Sequence, residues 1–232
     1  MNPDTYQVIS ASKHWIIVDK PAEWLTTPSR EGAKDTRSVL GLRLQEDLAT
    51  QVFPVHRLDY EVSGLVLFAL SADCHRDCNL AFGEREVGKT YEAFAPCPTV
   101  GSGLMVPQGE LKWQSHLLRG KRRTYERPFG KPSETLALCL GAEQVLDGNI
   151  LRWRLCPLTG RPHQLRFEMA KHGFPILGDT LYGSMNSWPH PGIALRAIKV
   201  EWPKELQSKW GLPSRSQVPG LIFGGTTPCS IK

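Results

Sequence analysis

The sequence lacks several features that would place it in a specialised class of proteins. Its 232 residues contain no apolar run near the roughly 20 residues that a membrane-spanning helix needs, and no Gly-rich phosphate-binding loop. The segment 1–6 lacks the basic and then apolar pattern of a signal peptide. We therefore expect a cytoplasmic protein with one globular domain over 1–213. A loosely held tail, rich in Gly, Pro, Ser and Thr, is expected over 214–232.

Cysteine is present, but not in a pattern that predicts disulfides or a metal site. Reducing compartments keep thiols unpaired, so the six cysteines are expected to be small buried hydrophobic residues. Cys74 and Cys78 would lie one helical turn apart, with His75 between them. The second ligand pair that a structural zinc site needs is not evident among the other cysteines, so we expect no metal. Those cysteines are Cys97, Cys139, Cys156 and Cys229.

Basic residues are concentrated in the segment 112–131, although the net charge of the chain is only +5. This segment contains a single acid, Glu126, and three aromatic residues, Trp113, Tyr125 and Phe129. Basic side chains neutralise phosphates and flat rings stack on unpaired bases, so the mixture favours a nucleic acid over a membrane surface. A solvated loop is the alternative, since runs of charge commonly face water. The basic residues are Lys112, Arg119, Lys121, Arg122, Arg123, Arg127 and Lys131.

The spacing of apolar residues predicts an α+β protein with a mixed, mainly antiparallel sheet flanked by helices. The first helix is expected to follow a cap at Asp35 or Thr36, and the second to bury Leu80, Ala81 and Phe82. A third helix should end before Gly173. Strands are predicted at 15–18, 65–70, 89–95, 135–140, 150–156 and 195–202, and helices at about 36–48, 71–86 and 163–172.

The segment 54–65, with the sequence PVHRLDYEVSGL, is the most informative part of the chain. Asp59 lies in it between an arginine and a Ser-Gly turn. The run that follows, from Leu65 to Leu70, is entirely apolar, as in a strand covered on both faces. A carboxylate at the mouth of such a strand would be held by a rigid element, which suits catalysis. Capping of a turn is the alternative role for an aspartate beside Gly and Ser.

This segment resembles the catalytic motif of the RluA-type pseudouridine synthases, in which His-Arg-Leu-Asp precedes a Ser-Gly turn. Other blocks that resemble the family follow its order and extend the likeness from about residue 15 to about residue 200. Three positions near the motifs depart from the family pattern, namely Glu23, Val62 and Pro162, and so does Arg196 in the last strand. The additional blocks are 17–21 (IVDKP), 88–93 (GKTYEA), 160–166 (GRPHQLR) and 178–183 (GDTLYG).

The resemblance implies a pseudouridine synthase fold and the isomerisation of uridine to pseudouridine in RNA, without a metal or cofactor. It implies that Asp59 is the nucleophile, by attack on the sugar C1′ or through a glycal; both routes stay open. Arg166 would keep Asp59 ionised and oriented. Tyr91 would lie on the uracil and could accept the C5 proton, although a phenol with an ordinary pKa near 10 is a reluctant base.

The resemblance also implies a set of residues that contact the RNA. Arg57 would fill the gap that a flipped nucleotide leaves or bind a neighbouring phosphate, and Leu195 would lie under the uracil. His56, Lys89 and His163 are further candidates for contact with the substrate. Lys20 would shape the pocket or touch a phosphate of the RNA backbone. The basic segment, independently of the resemblance, offers Arg119, Lys121, Arg122 and Arg123 as further contacts with the RNA backbone.

The expected partner is a structured RNA, either rRNA or tRNA, bound by a monomer, with no DNA and no membrane. An RNA-binding or ribosome-assembly protein that keeps the fold without turnover is one alternative function. A hydrolase such as a nucleosidase or glycosidase is another, but these enzymes generally use two cooperating acids. Only Asp59 stands out as such an acid.

Overall fold

The computed structural model describes residues 5–99, 103–145 and 148–223. Within them the chain forms eleven strands and four α-helices, with two short 3-10 helices at Gly32–Lys34 and Thr180–Tyr182. The helices are α1 (Leu40–Leu48), α2 (Ala72–Gly83), α3 (Gln164–Lys171) and α4 (Lys204–Trp210). The strands are β1 (Gln7–Ala11), β2 (Trp15–Lys20), β3 (Phe53–Pro54), β4 (Ser63–Ala69), β5 (Gly88–Pro96), β6 (Glu110–Arg119), β7 (Thr124–Glu126), β8 (Lys131–Val145), β9 (Gly148–Pro157), β10 (Leu195–Glu201) and β11 (Arg215–Gln217).

The chain is organised in two compact units. Of the described residues, the first unit contains 5–90 together with Ala197–Pro219, and the second contains those of Tyr91–Arg196 together with 220–223. The chain passes from one unit to the other within β5 and β10. The predicted catalytic domain over 1–213 stays a prediction, because a compact unit is not in itself an independently folding domain.

The first unit is built on the sheet order β1-β2-β4-β10, with β3 paired to β4 and β11 paired to β10. The predicted strand after Asp59 is confirmed: Leu65 to Ala69 are all buried, as is every residue of β2. Helix α2 packs on this core through Cys74, Cys78 and Ala81. The core is completed by Trp15, whose indole Nε1 donates a hydrogen bond to the carbonyl of Trp210 (2.9 Å).

Two predictions about helices in this unit are wrong in detail. Helix α1 begins at Leu40 after Val39, not after a cap at Asp35 or Thr36, because the Asp35 carboxylate is engaged by the guanidinium of Arg37 (2.6 Å). Helix α2 does begin after Ser71, whose hydroxyl accepts a hydrogen bond from Cys74 N. Its buried face, however, excludes Leu80, whose side chain is 60% exposed.

The second unit is an antiparallel sheet in the order β5-β9-β8-β6-β7. The predicted alternation along β9 is confirmed, since Leu151, Trp153 and Leu155 are buried whereas Arg152 and Arg154 are not. The Trp153 ring lies 4.8 Å from that of Phe174 and forms the centre of this core. Helix α3 ends before Gly173, which has the left-handed φ of +86° that the sequence predicted for a helix C-terminus.

Part of the predicted tail belongs to these units. Arg215–Gln217 pairs antiparallel with β10, and Val218 and Leu221 are buried. Residues 224–232, including Cys229, lie outside the described part of the chain. The strand pairs whose register is described are all antiparallel. The predicted α+β class with a mainly antiparallel sheet is therefore confirmed.

Candidate active site

The loop that carries Asp59 is fixed by hydrogen bonds on both sides, and those on the Leu58 side are buried. Thr26, itself buried, donates from Oγ1 to the carbonyl of Leu58 (3.1 Å) and accepts from Leu58 N (3.2 Å). On the other side, the carbonyl of Tyr60 accepts from Glu23 N (2.7 Å). The backbone on either side of Asp59 is therefore tied to residues more than thirty positions earlier in the chain. Sequence reasoning did not identify Thr26, which lies just beyond the 17–21 block.

The Ser-Gly turn after Asp59 is required by close packing. Gly64 has a φ of +117°, and a Cβ atom at this position would lie 2.2 Å from the carbonyl oxygen of Ala197 in β10. Only glycine combines this conformation with such a close approach of two backbones. The turn therefore places the start of β4 directly against β10 and sets where the Asp59 loop leaves the sheet.

Lys20 occupies a position that the sequence did not predict. Its side chain is completely buried, and Nζ donates to the carbonyls of Trp24 (2.7 Å) and Pro21 (2.9 Å). Burial lowers its pKa to about 7, while the negative charges of Asp59 and two neighbouring acids oppose this shift. A buried ammonium with carbonyl partners is not placed to contact an RNA backbone. Of the two roles predicted for Lys20, shaping the pocket and touching a phosphate, its burial favours the first.

His56 also supports the loop from within. Its Nε2 accepts a hydrogen bond from Leu67 N in β4 (3.1 Å), so the neutral ring carries its proton on Nδ1. The ring stacks on Phe82 with centroids 4.9 Å apart, and burial lowers its pKa to about 3. These contacts fix the histidine to the scaffold, and its predicted contact with substrate stays a prediction. The neighbouring Arg57 is exposed, as its predicted role in a stack of bases requires.

Lys89 lies beside the same aromatic ring. Its Nζ is 5.9 Å from the centroid of Phe82, and burial lowers its pKa. Tyr91 follows two residues later on β5, half-buried and paired with Leu155 of β9. Leu195, the predicted apolar contact for uracil, is only 3% exposed at the start of β10. The predicted contacts of these three residues with a substrate stay predictions.

Arg166 is held by a carboxylate within its own unit. Its Nε donates to Oδ2 of Asp179 (2.7 Å) and its Nη2 to Oδ1 (2.8 Å), and both side chains are at most 2% exposed. Two parallel hydrogen bonds of this kind fix the plane of a guanidinium. The role of Asp179, in the 178–183 block, is thereby explained: it sets the orientation of Arg166 in helix α3.

Tyr182 joins this pair to the strand that ends the basic segment. Its ring centroid lies 5.4 Å from the Arg166 guanidinium carbon. Its hydroxyl accepts from Thr124 N in β7 (2.8 Å) and lies 3.1 Å from Nδ1 of His163. Thr124 in turn donates from Oγ1 to the carbonyl of Pro162 (2.7 Å). The start of α3, Tyr182 and β7 therefore form one connected structure, and His163 is a part of it.

Gln164 is a further residue whose role the sequence did not reveal. Its Oε1 accepts from Thr159 Oγ1 (2.7 Å) and Arg161 N (3.0 Å). Its Nε2 donates to the carbonyl of Glu134 (2.9 Å) and to Thr135 Oγ1 (2.9 Å). The buried amide is thus saturated and fastens the first residue of α3 to β8. Its position in the 160–166 block was the available signal.

The basic segment contains strands β6 and β7 with exposed turns between and after them, and its binding to nucleic acid, as against a merely solvated surface, stays a prediction. Strands β6 and β7 make a hairpin whose tip contains exposed Lys121, Arg122 and Arg123, and Arg119 at the end of β6 is also exposed. The predicted availability of Trp113 for stacking on bases is wrong. This ring is buried and stacks on His172 with centroids 4.5 Å apart, because its side chain points to the core face of β6.

In the described ranges, 5–99, 103–145 and 148–223, no group of three or more His, Cys, Asp or Glu side chains could hold a metal ion. Cys74 and Cys78 are buried with their sulfur atoms 3.9 Å apart. None of the described helices is both long and apolar enough to cross a membrane.

Comparison with solved structures defines the fold. The human RNA pseudouridylate synthase domain containing 1 superposes with a TM-score of 0.68 at 20% identity, covering 88% of this chain and 80% of that one. The architecture is therefore the pseudouridine synthase fold, as the resemblance in the sequence implied.

Comparison of sequences defines the family. Residues 14–171 match the family described as RNA pseudouridylate synthase. The dual-specificity RNA pseudouridine synthase RluA of Pasteurella multocida is 30% identical over 210 residues, which cover 88% of this chain and 89% of that protein. The tRNA pseudouridine synthase C of the same organism is 33% identical over 210 residues, covering 85% and 84%. The chain belongs to the RluA-type RNA pseudouridine synthases, which are isomerases acting on uridine in RNA.

Proposed function

We propose that this protein converts uridine to pseudouridine in rRNA or tRNA, with Asp59 as the nucleophile. The observation that carries the proposal is the fixed loop around Asp59 within a chain that matches the family over residues 14–171. A reacting carboxylate needs a defined position, and the bonds from Thr26 and Glu23 supply it. The substrates named for the relatives, which include a tRNA in one case, support the choice of RNA class.

The reaction needs no imported atom. The bond between C1′ and N1 of uridine breaks, a bond between C1′ and C5 forms, C5 loses a proton and N1 gains one. Asp59 engages the sugar as a nucleophile, by direct attack on C1′ or by way of a glycal. Such a sequence neither oxidises nor reduces the substrate, so the residues of the chain suffice for it.

Arg166 and Tyr91 are proposed as the partners of Asp59 in this reaction. Arg166 supplies the positive charge that keeps the nucleophile ionised, and its pair with Asp179 provides the fixed orientation that this task requires. Tyr91 provides a flat surface against the uracil, and acceptance of the C5 proton is its second proposed role. Leu195, Lys89, His56 and His163 complete the proposed surroundings of the nucleotide.

The protein is proposed to contact the folded RNA at nucleotides other than the reacting uridine as well. Exposed Arg57 would fill the space of the flipped nucleotide, and the hairpin tip would bind phosphates through Arg119, Lys121, Arg122 and Arg123. We propose further that the protein acts as a monomer in the cytoplasm and does not bind DNA. The presence of Asp59, Tyr91 and Arg166 together favours turnover over a catalytically silent RNA-binding role.

The decisive experiment compares Asp59→Ala with a matched change in the same loop, Glu61→Gln. Pseudouridines are mapped across total RNA from cells that contain the wild-type gene, either variant or no gene. We expect at least one uridine to be modified by the wild type and by Glu61→Gln, and to remain unmodified with Asp59→Ala or no gene. The purified Asp59→Ala protein should still bind RNA. Product formation by this variant, or release of free uracil by the wild type, would contradict the proposal.

A further inference from the structure

The hairpin formed by β6 and β7 has one face toward the core and one toward solvent. Along β6 the side chains of Trp113, Ser115 and Leu117 are buried, whereas those of His116 and Leu118 are exposed. Leu118 lies directly opposite Tyr125 of β7. Residues opposite each other in an antiparallel pair share a face of the sheet, so the Tyr125 ring lies on the solvent face.

The Tyr125 ring is held in place by the turn that precedes it. A Cβ atom on Gly120 would lie 2.1 Å from Cε2 of Tyr125, so only a glycine allows the ring to approach the backbone of the turn. The turn itself is closed by a hydrogen bond from Gly120 N to the carbonyl of Arg123 (2.9 Å). An aromatic ring that rests on the backbone keeps few conformations and has little entropy left to lose on binding.

Two guanidinium groups lie near this ring, one from a residue before Tyr125 in the chain and one from a residue after it. The guanidinium carbon of Arg123 lies 5.6 Å from the ring centroid, and that of Arg127 lies 6.0 Å from it. Both distances are within the range of cation–π attraction. Phe129, two residues beyond Arg127, is 76% exposed. The solvent face therefore combines flat apolar surface with fixed positive charge.

The acid of this segment does not weaken its positive charge. Glu126 accepts a hydrogen bond from Nζ of Lys171 in helix α3 (2.7 Å), and this ammonium lowers the pKa of the carboxyl. The surplus of positive charge in the hairpin and the following turn therefore remains directed at solvent. A surface of this kind attracts a polyanion and offers a stacking partner to its bases.

We propose that Tyr125 is a stacking platform for an unpaired base of the RNA, with Arg123 and Arg127 binding the phosphates beside that base. The proposal rests on the proposed function, since it takes RNA as the substrate, and it names the part of the RNA that the hairpin binds. A base inside an A-form duplex is stacked on both sides and cannot reach a protein ring. The hairpin thus selects RNA that presents a single-stranded segment outside the target uridine.

Binding is tested with the full chain on two labelled probes, a single-stranded oligouridine and a fully paired RNA duplex of the same length. The matched variants are Tyr125→Phe, which keeps a flat ring, and Tyr125→Leu, which keeps apolar bulk without one. Stacking on one ring is worth about 1–3 kcal/mol, so Tyr125→Leu should bind the single strand roughly 5- to 150-fold more weakly. Tyr125→Phe should stay within about twofold of wild type, and neither variant should bind the duplex differently.

The dependence of affinity on salt separates stacking from charge. Arg122→Gln removes a proposed phosphate contact and should lower the slope of log affinity against log salt by about 1. Tyr125→Leu should leave this slope unchanged, because an uncharged ring releases no counterions. Circular dichroism of each variant checks that the sheet is retained. If Tyr125→Leu loses the sheet, the affinities of wild type and Tyr125→Phe for the two probes are compared instead. Tighter binding of the duplex than of the single strand by these two proteins would then overturn the proposal.

Two outcomes on the folded proteins would also overturn the platform. One is equal affinity of Tyr125→Leu and wild type for the single strand. The other is a loss of affinity by Tyr125→Leu that is equally large for the single strand and the duplex. Failure of the proposed function has a different signature. If the wild type forms no pseudouridine in cells while Tyr125→Leu still loses single-strand affinity selectively, the platform stands and the catalytic proposal falls.

Discussion

The guanidinium of Arg166 and the carboxylate of Asp179 are joined by two hydrogen bonds, of 2.7 and 2.8 Å, in a place where both side chains are buried. A buried ion pair contributes little net stability compared with apolar residues, but removal of one partner leaves the other charge without its counter-ion. The pair is therefore a sensitive point of the second unit, and its loss should affect folding as well as reaction.

We expect Asp179→Asn to lower the free energy of unfolding by about 3 kcal/mol, because the neutral amide cannot compensate the buried guanidinium. Urea unfolding followed by circular dichroism measures this change. Product formation should also fall at temperatures where the variant remains folded, since Arg166 loses the group that orients it. Glu205→Gln, at an exposed position of α4, is the control and should change stability by less than about 0.5 kcal/mol. An Asp179→Asn protein as stable as this control would contradict the assigned role.

Tyr182→Phe isolates the hydroxyl that joins β7 to the start of α3. The phenylalanine ring can still lie against Arg166, but the N–H of Thr124 loses its acceptor. An unsatisfied, partly buried donor costs about 1–2 kcal/mol, and we expect the free energy of unfolding to fall by that amount. Tyr6→Phe is the matched control, since the Tyr6 hydroxyl donates to Asp47 at an exposed site (2.7 Å). Equal effects of the two changes would show that the Tyr182 hydroxyl is not a buried link.

Lys20 should make stability depend on pH between about 7 and 10.5. Burial lowers its pKa from 10.5 to about 7, so in this window the folded state has released a proton that the unfolded state retains. The unfolded state then binds more protons, and the free energy of unfolding rises with pH. Below pH 7 both states are protonated and the contribution of Lys20 is constant.

The test is a series of urea titrations at different pH values. Lys20→Met should show a smaller rise above pH 7 than the wild type, because Lys89, whose pKa burial also lowers, keeps its own contribution. Lys204→Met, at an exposed position of α4, should show the full rise. Parallel curves for wild type and Lys20→Met would mean that the buried ammonium keeps an ordinary pKa.

Much of the fold could be predicted because its signals are local. The apolar run before Leu70 and the alternation of Leu151, Trp153 and Leu155 report directly on burial of strands. Gly173 marks the end of α3 because a left-handed residue is needed there. The motif around Asp59 was also visible, since the residues that form one loop are contiguous in the chain.

Other features depend on contacts between distant residues, and the sequence did not disclose them. A lysine is ordinarily expected at the surface, yet Lys20 is buried because backbone carbonyls around the Asp59 loop accept its hydrogen bonds. Trp113 was expected to stack on bases of the RNA, but in the alternation of side chains along β6 it falls on the buried face. Leu80 was expected in the core, whereas two cysteines of the same helix occupy the buried face.

One departure from the family pattern has a physical meaning that only the structure reveals. Glu23 stands where the family commonly has glycine, and its φ is +61°. The backbone therefore keeps the left-handed conformation that suits glycine although the residue has a side chain. The hydrogen bond from Glu23 N to the carbonyl of Tyr60 is made from this left-handed conformation.

The shape of the basic hairpin and its charge are set by different residues. Gly120, Gly130 and Thr124 fix the backbone through close approaches and hydrogen bonds, whereas the side chains of Lys121 and Arg122 at the tip are exposed. On the proposed function, replacements of Lys121 or Arg122 would change the charge offered to the RNA while leaving the backbone of the hairpin unchanged. Substrate preference would then diverge by single substitutions, each with little cost in folding free energy.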